Sequence, residues 1–325
     1  MKILVTGAAG NLGAEICRQL KENDEYEVFG TDIVAGQHVY YRLDLTQKDR
    51  LKEIDIRPNV IIHCAANIYG IAGFTDNPAL ILSKDTQMTI NLLEFAGAVP
   101  IDEFQNFVYI SSSMVYETAN PADSMNLKEE IVDTLPIPRT DYGLSKLLGE
   151  RLVKAYNLQY GLPYSIWRPF NIITPLERPG GDRTALGYSH VFADFFENIV
   201  LKKMNPLPII GDGNQIRCFT WYEEVADLIA NHVETATEDA YNIGNSEPIK
   251  MRDLARLIQE EAVERGLLPD EELMFYSVDD DFPNDVLIRV PCPNKTLQNL
   301  SWAANVHIKE SISYCMDEWQ NFLKE

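Results

Sequence analysis

The chain has 325 residues, 46% hydrophobic and 10% aromatic, enough for one large domain or two modest ones around a full core, which excludes an intrinsically disordered chain. Asp and Glu outnumber Lys and Arg by 49 to 28, a formal net charge of −21. That excess argues against general nucleic-acid binding and against an anionic membrane surface, while leaving room for a locally basic pocket around an anionic small molecule.

"KILVT" (2–6) predicts the first strand, and its start at Lys2 leaves no room for a signal peptide. It runs through "GAAGNLG" into a helix over 11–22, with Gly7, Gly10 and Gly13 spaced three apart. Glycines allow a sharp turn and close backbone approach, and the N–H groups and dipole of the helix start attract a pyrophosphate. "YEVFGTD" (26–32) is a second strand ending in Asp32, about 20 residues past the loop, where an acid binds both hydroxyls of a dinucleotide ribose. Ile33 and Val34 follow, with no arginine for a 2′-phosphate, so NAD is expected over NADP.

A third strand (39–44), a helix (46–55) and the near-continuous apolar run "NVIIHCAA" (59–66) come next; such a run marks a strand buried on both faces. After a helix at 77–97, "NFVYISS" (106–112) ends in a serine run, Ser111 to Ser113, followed by Met114. The helix at 139–160 carries Tyr142 and Lys146 four apart, on one face. A tyrosine beside an ammonium acts as a base, because the cation favours the phenolate. Alone, this spacing is common in amphipathic helices; behind a dinucleotide loop and a serine-ended strand it reads as chemistry. With a strand at 163–169, the alternation predicts an α/β fold: a Rossmann-type doubly wound parallel sheet over 1–170. Pro and Gly then gather at 175–181 and 205–213, and helical periodicity returns at 187–202, 221–235, 249–264 and 308–323. A smaller C-terminal α/β substrate lobe is expected from 171–220 and 245–325, with 221–244 returning to the first.

Five cysteines (Cys17, Cys64, Cys218, Cys292, Cys315) and five histidines are scattered, with no metal or disulfide pattern. They read as reduced thiols of a cytoplasmic protein. No run approaches the roughly 18 apolar residues of a membrane span.

Together, "TGAAGNLG", Asp32, Asp44-Leu45, "HCAA" (63–66), "SSSMVY" (111–116), "YGLSK" (142–146) and "RPFN" (168–171) resemble the extended short-chain dehydrogenase/reductase family over nearly the whole chain. Within it, the chain is most similar to the NAD-dependent nucleotide-sugar epimerases and dehydratases. The resemblance implies NAD held by Gly7, Gly10, Asn11, Leu12, Gly13 and Asp32, with Asp44 and Leu45 near the adenine and Ala65 and Ala66 along the cofactor's edge. It implies a catalytic set of Ser112, Tyr142 and Lys146, the last two also touching NAD. Ser112 would hydrogen-bond the reacting sugar hydroxyl, Tyr142 would take its proton, and Lys146 would hold the nicotinamide ribose and tune Tyr142. Ser111 and Ser113 become flanking hydroxyls, Ser113 a substrate contact.

On the substrate side the resemblance assigns Asn171, Arg217 and Arg289 to a nucleotide-diphosphate sugar; the alternative for each arginine is a surface salt bridge. His190 stands where one member has a second acid/base, and is read as a substrate or structural contact. Members that dehydrate carry an Asp-Glu pair where this chain has Ser113 and Met114. Members that epimerise at carbons 3 and 5 carry a cysteine at Met114, and "IYGIAGF" (68–74) resembles their glycine-rich loop. A thioether neither gives nor takes a proton. The leading expectation is therefore a 4-epimerase working through a 4-keto sugar. The alternatives are a 4-keto reductase, a 3,5-epimerase-like enzyme using His190, and a non-catalytic NAD sensor. Helices 77–97 and 139–160 resemble the family's four-helix dimer interface, with Leu80, Met88, Leu92, Leu147 and Leu152 offered as its apolar residues.

Overall fold

The structure is a computed structural model that describes residues 1–177, 187, 189–278 and 286–322. Six strands, β1 (Lys2–Thr6), β2 (Glu27–Asp32), β3 (Val39–Arg42), β4 (Val60–His63), β5 (Asn106–Ile110) and β6 (Tyr164–Pro169), pair in parallel. The helices between them are α1 (Asn11–Leu20), the short α2 (Ile71–Asp76), α3 (Pro78–Gly97) and α4 (Asp141–Tyr160). Past β6 the chain leaves through β7 (Ile172–Ile173), α5 (Val191–Phe196), β8 (Leu207–Ile210) and β9 (Ile216–Arg217). It returns through β10 (Thr220–Trp221), α6 (Tyr222–Asn231) and β11 (Ala240–Ile243), which pairs with β6. The resulting seven-stranded order is β11-β6-β5-β4-β1-β2-β3. The order reverses between β1 and β4, and sheets of this kind bind ligands in the crevice outside the carboxyl ends of the strands at such a reversal.

Both faces of the sheet are covered, as its apolar strands require. Alternate residues supply opposite cores. Leu4, Ile61, Phe107 and Ile166 pack with Leu92, Leu93 and Val153 of α3 and α4. Ile3, Val60, Ile62, Val108 and Trp167 pack with Ile16 and Leu20 of α1 and Val225 and Ile229 of α6. Each such aliphatic side chain, fully buried, contributes about 1.5–3 kcal/mol.

The second lobe has its own core, where Phe192, Phe196, Leu207, Trp221 and Trp319 meet Leu254 and Ile258. The last two lie on α7 (Met251–Glu264), which follows β12 (Ile249–Lys250); β13 (Phe275–Val278) pairs with β8, and β14 (Ile288–Arg289) with β9. Then come α8 (Asn294–Leu300) and α9 (Ile308–Phe322). Two of the expected helices, 46–55 and 187–202, need correction. The segment read as a helix over 46–55 is a 3-10 turn, Lys48–Glu53, bracketed by Gln47 and Ile54 in extended backbone. Within 245–325, α8 lies against β11: Thr296 Oγ1 donates to Asn242 O at 2.7 Å and Lys295 Nζ to Ala240 O at 2.9 Å. Polar side chains make that docking, which a hydrophobic period does not register. The expected helix 187–202 is α5 running into a π-helical turn, Glu197–Leu201; residue 188 lies outside the described residues. Among the described residues no helix is long and apolar enough to cross a membrane.

Candidate active site

The glycine turn between β1 and α1 presses on the segment after β4. Gly7 has φ +69°, and a Cβ on it would meet Ala65 N at 2.9 Å; a Cβ on Gly13 would meet Gly7 O at 2.2 Å. Only hydrogen fits at either position, so the turn closes and α1 begins hard against it. The α1 start is capped by Gly10 without any side-chain hydrogen bond, which leaves the first N–H groups, including those of Asn11 and Leu12, to an anion. Asp32 is fixed at the end of β2, its Oδ2 accepting Ala9 N–H at 3.0 Å and its Oδ1 accepting Val34 N–H at 3.2 Å. A cradle that a Cβ would fill, an uncapped helix start and an oriented acid fit a dinucleotide. Ala65 and Ala66 follow β4 at the same crevice.

Asp44 and Leu45 have structural partners. Asp44 accepts from Thr46 N and Oγ1; burial pushes its carboxyl up, but these hydrogen bonds outweigh it and hold the group below the usual range. Leu45 is buried in the core with its carbonyl accepting Asn91 Nδ2 at 2.7 Å.

Beneath the crevice runs a buried polar chain. Ala65 N–H donates to Thr6 Oγ1, which meets His63 Nδ1 at 3.0 Å; His63 Nε2 meets Thr89 Oγ1 at 3.1 Å, and Thr89 donates to Asp85 O. One tautomer satisfies every group: Nδ1 accepts from Thr6 and Nε2–H donates to Thr89. Burial, and then the Lys146 charge, push His63 down to about 3, so it is neutral.

The serine run divides three ways. Ser111 donates to Glu150 Oε1 at 2.6 Å, and Glu150 is held by Arg168 at 2.7 and 2.8 Å. Ser112 caps a 3-10 turn, Ser113–Tyr116, its hydroxyl oxygen accepting Met114 N–H at 3.2 Å. Its own proton remains available for donation. Ser113 is buried, and Met114 lines the cavity in its place.

Helix α4 is set by a cap and a clamp. Thr140 Oγ1 accepts Gly143 N–H at 3.1 Å, and Glu117 Oε2 accepts the N–H groups of Arg139 and Thr140, both at 2.8 Å. This places Tyr142 and Lys146, both buried, on the face toward β5. Lys146 Nζ donates to Ile110 O at 2.9 Å and lies 5.7 Å from the Tyr142 ring centre. Burial pushes Tyr142 up to about 12, with the Ser112 hydroxyl opposing the shift. Burial also pushes Lys146 down, against the pull of Asp85.

A cavity opens between the lobes, lined by Phe74, Met114 and Thr140 and by Arg217 and Arg289. The two arginines are 8% and 7% exposed, so neither is a surface salt bridge. They stand in register on the parallel strands β9 and β14, which puts their side chains on one face. Arg289 donates to Met114 Sδ and, at 3.0 Å, to Asn171 Oδ1; Asn171, in left-handed backbone at φ 28°, donates to Cys218 O at 2.8 Å. His190, at the α5 start, lines the cavity, with backbone N–H and ring Nδ1 on the Glu177 carboxylate at 2.9 Å.

Sequence reasoning missed Phe74, Glu117, Asp85 and Glu150. Only Thr140, directly before Asp141 and the α4 pattern, carried a readable capping signal.

Residues 3–244 match the NAD dependent epimerase/dehydratase family. A putative UDP-glucose 4-epimerase of Methanocaldococcus jannaschii is 29% identical over 98% of this chain and 98% of its own length. GDP-mannose 3,5-epimerase of Arabidopsis thaliana is 25% identical over 96% of this chain and 80% of its own length. The solved structure of UDP-glucose 4-epimerase from Thermotoga maritima with UDP-glucose superposes with a TM-score of 0.83 at 23% identity, covering 99% of this chain and 100% of that one. With the strand order, the dinucleotide cradle and the matched residues in agreement, the chain belongs to the NAD-dependent epimerase/dehydratase family, and its cofactor is NAD.

Proposed function

We propose that this chain is a nucleotide-sugar 4-epimerase. The observation that carries the reading is the cavity itself: it is lined by buried Arg217 and Arg289 together with Met114 and Phe74, which contact Ser112 and Tyr142. Arginine forks match the oxygens of a diphosphate, and two side by side suit two phosphates. When bound, NAD supplies a hydride acceptor and donor for carbon 4 of the sugar. Tyr142 takes the proton of the carbon-4 hydroxyl, and Ser112 donates to the oxygen as it becomes a carbonyl. Lys146 supplies the positive charge a buried phenol needs to ionise. The arginines hold the diphosphate while the keto sugar turns over, and the proton returns from Tyr142 on the other face. Met114, beside Ser112, offers no second acid or base, which favours chemistry at one carbon.

One observation favours a second reading. The His190–Glu177 pair at the cavity wall is a base with an orienting carboxylate, the arrangement needed to remove a proton beside a keto group and so epimerise at carbon 3 or 5. Proton NMR of UDP-, GDP-, dTDP- and CDP-sugars incubated with the protein in heavy water separates the two. A 4-epimer without ring deuterium supports the first reading; deuterium at carbon 3 or 5 overturns it in favour of the second.

A homodimer through α3 and α4 belongs to the same reading. Met88, Leu92 and Leu152 pack on the sheet core and Leu147 on a smaller cluster. The seam left outside is lined by Ala79, Leu82, Ile90, Leu144 and Leu148, which supports pairing with a second copy. A monomer in light scattering at micromolar concentration would end that proposal.

A further inference from the structure

Asp85 lies on α3 with 6% of its surface exposed. Its Oδ1 accepts two hydrogen bonds from Asn67, the backbone N–H at 3.0 Å and Nδ2 at 2.7 Å. Its Oδ2 is buried with no hydrogen-bond partner. A buried carboxylate oxygen without a donor is costly unless a positive charge acts on it. The cation at hand is Lys146, itself 4% exposed and hydrogen-bonded to the uncharged Ile110 O.

The other groups around Lys146 do not balance it. His63 is neutral, and burial holds the Cys64 thiol and the Tyr109 and Tyr142 phenols protonated. Glu150 is already taken by the Arg168 fork and Ser111. Asp85 is the carboxylate whose charge is not spent on another cation.

We propose that Asp85 is the counter-charge of the Tyr142–Lys146 centre, a positioning residue that keeps Lys146 an ammonium inside the buried site. The inference rests on the reading of Tyr142 and Lys146 as the reacting pair. Electrostatics agree in both directions: Asp85 is the strongest influence holding Lys146 up against burial, and Lys146 the strongest holding Asp85 down against it. The same charge pushes Tyr142 further up, so the phenol stays neutral until other positive charge reaches it. Among the described residues no ion pair joins Asp85 to Lys146, whose Nζ donates to Ile110 O, so the coupling acts through space and depends on the dryness of the site.

The test is an NMR titration of the Lys146 side chain in the NAD-loaded protein, with isotope-labelled lysine and assignment by Lys146→Met. Asp85→Asn keeps the acceptor for Asn67 and removes the charge. The Lys146 midpoint is expected to fall by at least about one pH unit, a tenfold change in ionisation, and the alkaline limb of turnover to follow it. An unchanged midpoint in a folded Asp85→Asn protein overturns the proposal. If that variant does not fold, the carboxyl carbon of Asp85 in the unaltered protein decides. An ionised Asp85 alongside a protonated Lys146 at pH 7 supports the proposal, and a protonated Asp85 overturns it. Both readouts report ionisation without turnover. A failure of the proposed reaction would therefore show as absent sugar conversion with the Lys146 shift intact.

Discussion

The ring of Phe74 lies flat on the ring of Tyr142, centroids 4.4 Å apart and planes 9° apart. Phe74 comes from α2, in the glycine-rich stretch after β4, and also lines the cavity. An apolar ring on one face of a phenol keeps water from it and adds to the burial that raises Tyr142. Phe74→Ala is expected to let water in and move the Tyr142 titration down from about 12 toward the ordinary phenol range. Ultraviolet difference titration against Tyr142→Phe measures it. Turnover should drop by roughly tenfold, the equivalent of one aromatic contact. A titration that stays in place would mean the stack does not shield the phenol.

Tyr142→Phe keeps the ring, and hence the packing on Phe74, and removes only the proton carrier. Turnover is expected to fall by about 10³-fold or more, within the range for a lost general acid–base group. NAD affinity, measured by fluorescence quenching, should stay within a few-fold. Near-full activity in this variant would remove Tyr142 from the chemistry and favour a binding role for the chain.

The parts of the site legible in the sequence are those written by short spacings. Gly7, Gly10 and Gly13 meet across one turn, Tyr142 and Lys146 across one helical turn, and the run through β4 announces a strand covered on both faces. Other parts are reached only through the family resemblance, because they depend on what the fold brings from far away. The serine run is three identical hydroxyls in sequence, yet Ser111 is claimed by Glu150, Ser112 caps a turn beside Tyr142, and Ser113 is buried. The family resemblance singles out Ser112, but no hydrophobic period separates the three, because Glu150 and Tyr142 lie on α4. Arg217 and Arg289 stand together only because β9 and β14 pair in parallel, in strands of two residues that no periodicity reveals.

Arg217→Ala tests the diphosphate grip. Its guanidinium lies in the cavity wall, apart from Tyr142, so the loss should fall on binding. A charge-assisted hydrogen bond contributes about 1.5–3 kcal/mol, so KM for the nucleotide sugar is expected to rise roughly 10- to 100-fold with kcat less affected. Arg289→Ala should change both constants, because Arg289 also holds Asn171 and Met114 beside Ser112. Equal effects from the two variants would argue against this division of labour.

His63 makes the fold sensitive to acid. It is buried and neutral in the chain from Thr6 to Thr89, and its folded value of about 3 lies below the ordinary 6.5. Between those values the unfolded chain binds a proton that the folded one refuses. Stability therefore rises with pH across that window, is complete above about 6.5, and is lost as pH falls toward 3. One such group adds a slope of up to about 1.4 kcal/mol per pH unit to the unfolding free energy. His63→Gln, with a donor and an acceptor but no titration, should lower stability at every pH while flattening the slope between pH 6 and 4. Urea unfolding at a series of pH values reads both effects. A slope as steep in the variant as in the parent would place the acid sensitivity in the carboxylates instead.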